Sequence, residues 1–172
     1  MDPYLQLAES AVNAYIKNKK IIKPPCNLPA EFYCKKAGVF VTIFKNKELR
    51  ACLGTYLPLQ ENLALEIIHN AVSACSNDFR FARITEQELP SLSYEVSILT
   101  EPQAIRTIKE HNPKIYGLIV KTADGRCGLL LPDLEGIQTS DQQIVIACRK
   151  AGIEPSVDPI SLYNFTVEKH KG

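Results

Sequence analysis

Apolar residues recur every three or four positions in three segments of the chain, and this spacing predicts three α-helices. The first begins at Asp2-Pro3, where aspartate can cap the helix and proline suits its first position. The second covers residues 62–75. The third covers 139–151 and opens with a capping box of Thr139 and Gln142.

Other segments alternate apolar and polar residues or are rich in β-branched and aromatic residues, and both patterns predict strands. The polar turn 45–48 and the turn 123–125 each join two of these strands into a hairpin. The predicted strands cover 39–44, 49–56, 92–98, 117–122, 126–131 and 162–167. Hairpins without strand–helix–strand crossovers predict an α+β fold, mainly an antiparallel sheet with flanking helices.

Prolines mark two further features. Thr85 and Glu88 form a second capping box, which predicts a very short helix that Pro90 ends. The segment Pro24–Pro29 is predicted to be extended, and it is our candidate for a boundary between two packed lobes. It is too short for a linker between domains, and 172 residues suit one domain.

Composition and charge narrow the classes of function. Twenty Lys and Arg residues balance 19 Asp and Glu residues, so no broad basic field favours nucleic acid. No apolar run reaches the ~20 residues of a membrane span, and the N-terminus lacks a signal-peptide pattern. We therefore expect a cytoplasmic protein with six reduced cysteines. Without paired cysteines or a histidine motif, we expect no metal site and no cofactor.

The predicted strand 49–56 carries the main candidate chemistry. Alternation puts Leu49, Ala51 and Leu53 on the core side, and Arg50, Cys52, Gly54 and Tyr56 on the opposite face. The Arg50 guanidinium could lower the pKa of the Cys52 thiol, and Gly54 could leave room for a ligand. Alternatively, Cys52 is a buried core residue and Arg50 is a salt-bridge partner.

Two other arginines are candidate ligand contacts. Arg80 lies between Phe79 and Phe81 and could bind an anion or a planar group. Alternatively, the two aromatic rings fill the core while Asp78 pairs with Arg80. Arg126 follows a predicted tight turn and is a weaker candidate, because its surroundings fit no phosphate-binding fingerprint. A dyad of Cys52 with His69 would depend entirely on folding.

These residues resemble a known family. The segment 49–55, Leu-Arg-Ala-Cys-Leu-Gly-Thr, is similar to the Leu-Arg-Gly-Cys-Ile-Gly-Thr hallmark of the AMMECR family, whose prokaryotic members are called AmmeMemoRadiSam system protein A. Ala51 replaces a glycine, and Phe79 and Ala82-Arg83 replace prolines of the family's Asp-Pro-Arg-Phe-Pro-Pro pattern. Further similar segments follow the family order at 38–42, 96–99, 117–120, 128–132 and 150–152.

The resemblance implies one AMMECR-type domain over 1–172, with two unequal lobes and a cleft bordered by the hallmark. It also implies association with a Memo-like protein and a radical S-adenosylmethionine enzyme, but no particular reaction. We therefore hypothesise an accessory or substrate-binding module whose ligand is a small molecule or a peptide. The alternative is an enzyme in which Cys52 is a thiolate nucleophile supported by Arg50. The candidate substrate-binding residues are Gly54, Thr55, Arg80, Phe81 and Arg126.

Overall fold

The computed structural model describes residues 2–172, which divide into two compact units. The first unit comprises the chain up to Leu99 together with Glu168–Gly172, and the second comprises Thr100–Val167. The prediction of a boundary at Pro24–Pro29 was wrong. Ile22 and Leu28, on either side of the first prolines, pack against the core of the first unit.

The described residues form four α-helices and eight strands. The helices are α1 (Pro3–Asn18), α2 (Glu31–Cys34), α3 (Leu63–Asn77) and α4 (Ser140–Lys150). The strands are β1 (Gly38–Lys45), β2 (Glu48–Thr55), β3 (Leu92–Leu99), β4 (Gln103–Ile105), β5 (Gly117–Thr122), β6 (Cys127–Leu130), β7 (Ile160–Phe165) and β8 (Val167–Lys171). Short 3-10 helices cover Glu86–Ser91 and Ile108–Glu110.

The predicted helix starts are confirmed. Asp2 accepts a hydrogen bond from the Tyr4 amide at 2.8 Å, and Pro3 is the first residue of α1. Both capping boxes are present, at Thr85 and at Thr139. Pro90, however, lies within the 3-10 helix Glu86–Ser91 and does not end it.

The first unit contains a four-stranded sheet in the order β2-β1-β3-β8, so β2 is an edge strand. Strand β1 pairs antiparallel with both β2 and β3. Helices α1 and α3 form the main core with the sheet, where Val12, Ile67 and Val41 are fully buried. The turn between β1 and β2 places both Asn46 and Lys47 at positive φ.

The second unit contains a sheet in the order β4-β7-β5-β6 and the helix α4. Gly128 of β6 lies against α4, since a Cβ there would be 2.0 Å from the Ala147 carbonyl oxygen. The prediction of a single strand over residues 162–167 was wrong. The chain forms β7 in this sheet and then β8 in the sheet of the first unit.

The predicted α+β class is confirmed, with two antiparallel four-stranded sheets and flanking helices. In the part of the chain described, no helix combines the length and the apolar character needed to cross a bilayer.

Candidate functional site

The backbone of Cys52 is bound on the open edge of β2 by two side chains. Its N–H donates to Asp78 Oδ2 at 2.9 Å, and its carbonyl accepts from Arg80 Nη2 at 3.0 Å. These two backbone groups point away from β1, as they do at alternate positions of an antiparallel edge strand. Asp78 and Arg80 therefore cover the sheet edge at Cys52, where a further strand could otherwise pair.

The Cys52 thiol is half-buried and accepts a hydrogen bond from the Thr42 hydroxyl at 3.2 Å. Burial raises the pKa of this thiol, while the Thr42 bond and the positive charge of Arg80 act in the opposite direction. The net change is upward, opposite to the lowering that the sequence suggested. The thiol is therefore protonated at neutral pH, and its hydrogen-bond partner is Thr42, not His69.

Arg50 lies in a β-bulge and is paired elsewhere. Ile43 faces Ala51 and Phe44 faces Leu49, so Arg50 is the extra residue of the bulge. Its guanidinium donates to both carboxylate oxygens of Glu88, at 2.9 and 3.2 Å. Of the two interpretations of Arg50, the salt-bridge partner therefore matches its contacts. The cation that lowers the pKa of the Cys52 thiol is Arg80.

The bulge has two further consequences, one for the pKa of Glu88 and one for the exposure of Leu49. The Arg50 hydrogen bonds, and to a smaller degree Lys45, lower the pKa of Glu88 to about 2. The bulge also breaks the alternation of faces, so the prediction that Leu49 is a core residue was wrong, and its exposed fraction is 46%. Ala51 is buried and Leu53 packs against the core, as alternation predicted.

Asp78 and Arg80 hold a tight turn in a fixed conformation. The Asp78 side chain is 2% exposed and lies 2.7 Å from Arg80 Nη2. Hydrogen bonds from Arg80, then from the Cys52 amide, lower the pKa of Asp78 to about 2. Arg80 lies 5.4 Å from the centre of the Phe81 ring, whereas Phe79 is 94% exposed and does not fill the core. The turn thus presents Phe79 outward.

Gly54 and Thr55 make packing contacts within the first unit. A Cβ on Gly54 would be 2.2 Å from the Val39 carbonyl oxygen, so glycine here permits the close approach of β1. The Thr55 hydroxyl donates to Glu66 Oε1 at 2.5 Å and accepts from Asn70 at 3.2 Å. Contacts inside the fold therefore account for both residues.

Glu66 contacts the candidate segment through Thr55, but the sequence did not identify it as a candidate residue. Its carboxylate is buried and also accepts from the amides of Leu59 and Gln60, at 2.8 and 2.7 Å. It therefore anchors the loop after β2 on α3. The available signal was a polar pair, Glu66 and Asn70, one turn apart among the apolar residues of the helix that repeat at helical spacing.

Arg126 is the candidate in the second unit. It forms ion pairs with Asp124 and Asp158, at 2.7 and 2.8 Å, and donates to the Gly152 carbonyl at 2.7 Å. The bonds to Asp158 and Asp124 raise the pKa of the Arg126 guanidinium. Its donors are used within the unit, where they connect the hairpin of β5 and β6 to the segment after α4.

Residues 2–172 contain His, Cys, Asp and Glu side chains that could in principle bind a metal ion. No group of three or more His, Cys, Asp or Glu side chains in this range could hold a metal ion. All six cysteines are free thiols, with Cys75 and Cys148 buried and Cys26 and Cys34 exposed.

The fold and the site define a class of α+β protein in which an edge strand and the helix α3 anchor two surface loops. The AMMECR1 family model matches residues 5–170, and the chain belongs to this family. A Thermotoga maritima protein is 44% identical over 98% of this chain and 97% of its own length. A Clostridium acetobutylicum protein is 40% identical over 99% of this chain, which spans only 36% of that relative.

A solved structure is also similar. The crystal structure of the uncharacterized protein PH0010 from Pyrococcus horikoshii matches with a TM-score of 0.88 and 31% sequence identity. The match covers 96% of this chain and 88% of the other.

Proposed function

We propose that the protein is an accessory, partner-binding module that works in the cytoplasm with a Memo-like protein and a radical S-adenosylmethionine enzyme. One observation carries the proposal: the polar groups of the hallmark segment hold a surface turn in place and form no set of catalytic groups. Cys52 binds Asp78 and Arg80 through its backbone, and these two residues flank the exposed Phe79.

Phe79 has the properties of a binding anchor. Its side chain is 94% exposed, so a partner that covers it gains nearly the full burial of a phenyl ring, about 1.5 to 3 kcal/mol. The turn is already fixed by the bonds of Asp78 and Arg80, so little backbone entropy is lost on binding. Rigid aromatic anchors of this kind often dominate the energy of an interface.

The charge beside the turn indicates what the partner surface carries. Arg83 is exposed, and its guanidinium makes no ion pair with any residue of the described chain. A partner surface with an apolar pocket and an acidic rim would match Phe79 and Arg83 together.

A second exposed segment follows the same strand and is anchored by Glu66 of α3. Leu57 and Leu59 are 41% and 72% exposed, in the loop that Glu66 holds next to Thr55. Cys52 of β2 binds the first loop directly, and Thr55 of β2 binds Glu66, which holds the second loop. This gives the hallmark a role in recognition that needs no reaction at Cys52.

The Clostridium acetobutylicum relative supports a modular role, because this domain occupies 36% of a longer chain there. A module that acts beside other proteins can also be found joined to another segment in one polypeptide.

Binding measurements with the Memo-like protein and the radical S-adenosylmethionine enzyme of the same genome test the proposal. We expect the wild-type chain to bind at least one of them, and Phe79→Ala to weaken binding about tenfold or more. Val157→Ala is the matched control, since Val157 is 78% exposed but lies in the second unit. Absence of binding to both proteins, or equal binding by Phe79→Ala and wild type, would refute the proposal.

The alternative function, with Cys52 as a thiolate nucleophile, has less support. Burial raises the pKa of its thiol, and Arg50 pairs with Glu88. Rapid alkylation of Cys52 at neutral pH, slowed in Arg50→Ala, would favour the enzyme over the binding module.

A further inference from the structure

A cavity of about 450 Å³ lies in the second unit, and its lining includes none of the residues that the proposed partner-binding role uses. One wall is the C-terminal half of α4, with Val145, Cys148 and Arg149. The other wall is the segment that follows the helix, including Ile153, Glu154 and Pro155. The volume lies within the range of about 300 to 1,000 Å³ that is usual for small-molecule sites.

The second wall is held in place by Arg126. Its guanidinium donates to the Gly152 carbonyl at 2.7 Å and to Asp158 at 2.8 and 3.0 Å. Asp158 Oδ2 in turn accepts the Glu154 amide at 2.8 Å. These bonds fix both ends of the segment 152–158, so the cavity exists before any ligand arrives.

The floor of the cavity is apolar. Cys148 and Ile153 are 1% and 5% exposed, and Val145 is half exposed at the mouth. Burial, followed by the negative charges of Glu154 and Asp158, raises the pKa of the Cys148 thiol. The thiol is therefore neutral and behaves as a small hydrophobic group.

Two exposed side chains of opposite charge line the same cavity. Arg149 forms no ion pair within the described part of the chain. The Glu154 carboxylate accepts the Ser156 hydroxyl at 2.8 Å and pairs with no cation of residues 2–172. A ligand with only one charge could pair with one of these side chains, whereas a zwitterion could pair with both.

We propose that this cavity binds a free apolar α-amino acid. Its carboxylate would pair with Arg149, its ammonium group with Glu154, and its side chain would lie on Val145, Cys148 and Ile153. A second, shallower concavity of about 290 Å³ on α4 shares Val145 and also includes Ile146. A large apolar side chain therefore has room, and leucine or phenylalanine fits better than glycine.

Titration of the full-length protein with L-leucine and L-phenylalanine tests this site, using calorimetry and amide chemical shifts of residues 145–156. We expect saturable binding in the millimolar range or tighter. 3-Phenylpropionate lacks the ammonium group and 2-phenylethylamine lacks the carboxylate, so each should bind about tenfold more weakly than phenylalanine.

Two variants test whether Arg149 and Glu154 bind the charged groups of the amino acid. Arg149→Gln and Glu154→Gln should each weaken phenylalanine binding about tenfold, because each removes one charge-assisted contact. Lys114→Gln is the control, since Lys114 is exposed and pairs with Asp133 outside the cavity. Three results would each overturn the proposal: no saturable binding of either amino acid, comparators that bind as tightly as phenylalanine, or two variants that bind like wild type. The comparators need no variant, so they remain decisive if a substitution impairs folding.

Discussion

The Asp78 carboxylate offers the sharpest test of how the candidate site is held together, and Asp78→Asn is the perturbation. In the wild type, its two oxygens accept the Cys52 amide at 2.9 Å and the Arg80 guanidinium at 2.7 and 2.9 Å. An asparagine has the same shape but no charge and one acceptor oxygen. The variant therefore cannot satisfy Cys52 and both Arg80 donors together.

The size of the effect follows from the pKa of Asp78, which is lowered from 3.8 to about 2. At 1.36 kcal/mol per pKa unit, the ionised carboxylate contributes about 2 kcal/mol to stability. Loss of hydrogen bonds to a charged group gives a similar figure, about 1.5 to 3 kcal/mol. We expect Asp78→Asn to lower the free energy of unfolding by about 2 kcal/mol at neutral pH.

The pH dependence supplies a second signature. A carboxyl group whose pKa is lower in the folded protein stabilises it at pH values above the unfolded pKa, here 3.8. This contribution is lost as the pH falls from 3.8 towards about 2. Wild type should therefore lose its advantage over Asp78→Asn in this window, because asparagine does not titrate.

Urea unfolding at about pH 7 and about pH 3 measures the difference, and amide exchange at Cys52 reports the local bond. Asp133→Asn is the control, because Asp133 is 66% exposed and its positive φ suits asparagine. It should change stability by less than about 0.5 kcal/mol. The reasoning is refuted if Asp78→Asn matches wild type at neutral pH, or if their difference stays constant with pH.

Three further substitutions or modifications test neighbouring contacts. Gly54→Ala should cost about 2 kcal/mol in chemical unfolding, since the new Cβ would be 2.2 Å from the Val39 carbonyl oxygen. Gly125→Ala, with open space but a φ of 92°, should cost only about 1 kcal/mol, and equal costs would contradict the close approach. Glu66→Gln should lower the free energy of unfolding by about 2 kcal/mol and speed proteolysis of the loop after β2, because an amide cannot accept all the hydrogen bonds that the Glu66 carboxylate accepts. An unchanged cleavage rate would argue against Glu66 as the anchor of this loop. Cys52 should react with iodoacetamide more slowly than the exposed Cys34 at about pH 8, as mass spectrometry can measure, and faster reaction would contradict its raised pKa.

Local patterns determined most of the secondary structure. Capping residues such as Asp2 and Thr139 act on backbone groups only two or three residues away, so the sequence predicts the helix starts. Alternation predicted β3, the β-branched and aromatic content predicted β1, and the turn residues 123–125 predicted the hairpin of β5 and β6. The short strand β4 was missed because three residues are too few for a pattern to develop.

Longer-range pairing decided the features that the sequence interpretation missed. The segment 162–167 reads as one strand, yet β7 and β8 belong to different sheets, and only the partners of each strand determine that division. Likewise, a one-residue bulge redirects Arg50 to Glu88, 38 positions further along the chain. No local pattern specifies a contact at that separation.

For the candidate site, the sequence by itself indicated the segment from Leu49 to Tyr56 and determined which of Ala51 and Cys52 faces the core. Tertiary structure decided what the residues do. Arg80, not Arg50, acts on Cys52, and the thiol pKa rises because burial outweighs the nearby charge. Strand periodicity specifies a face, whereas burial and ion pairing depend on which distant segment folds against it, and these set the chemistry of a side chain.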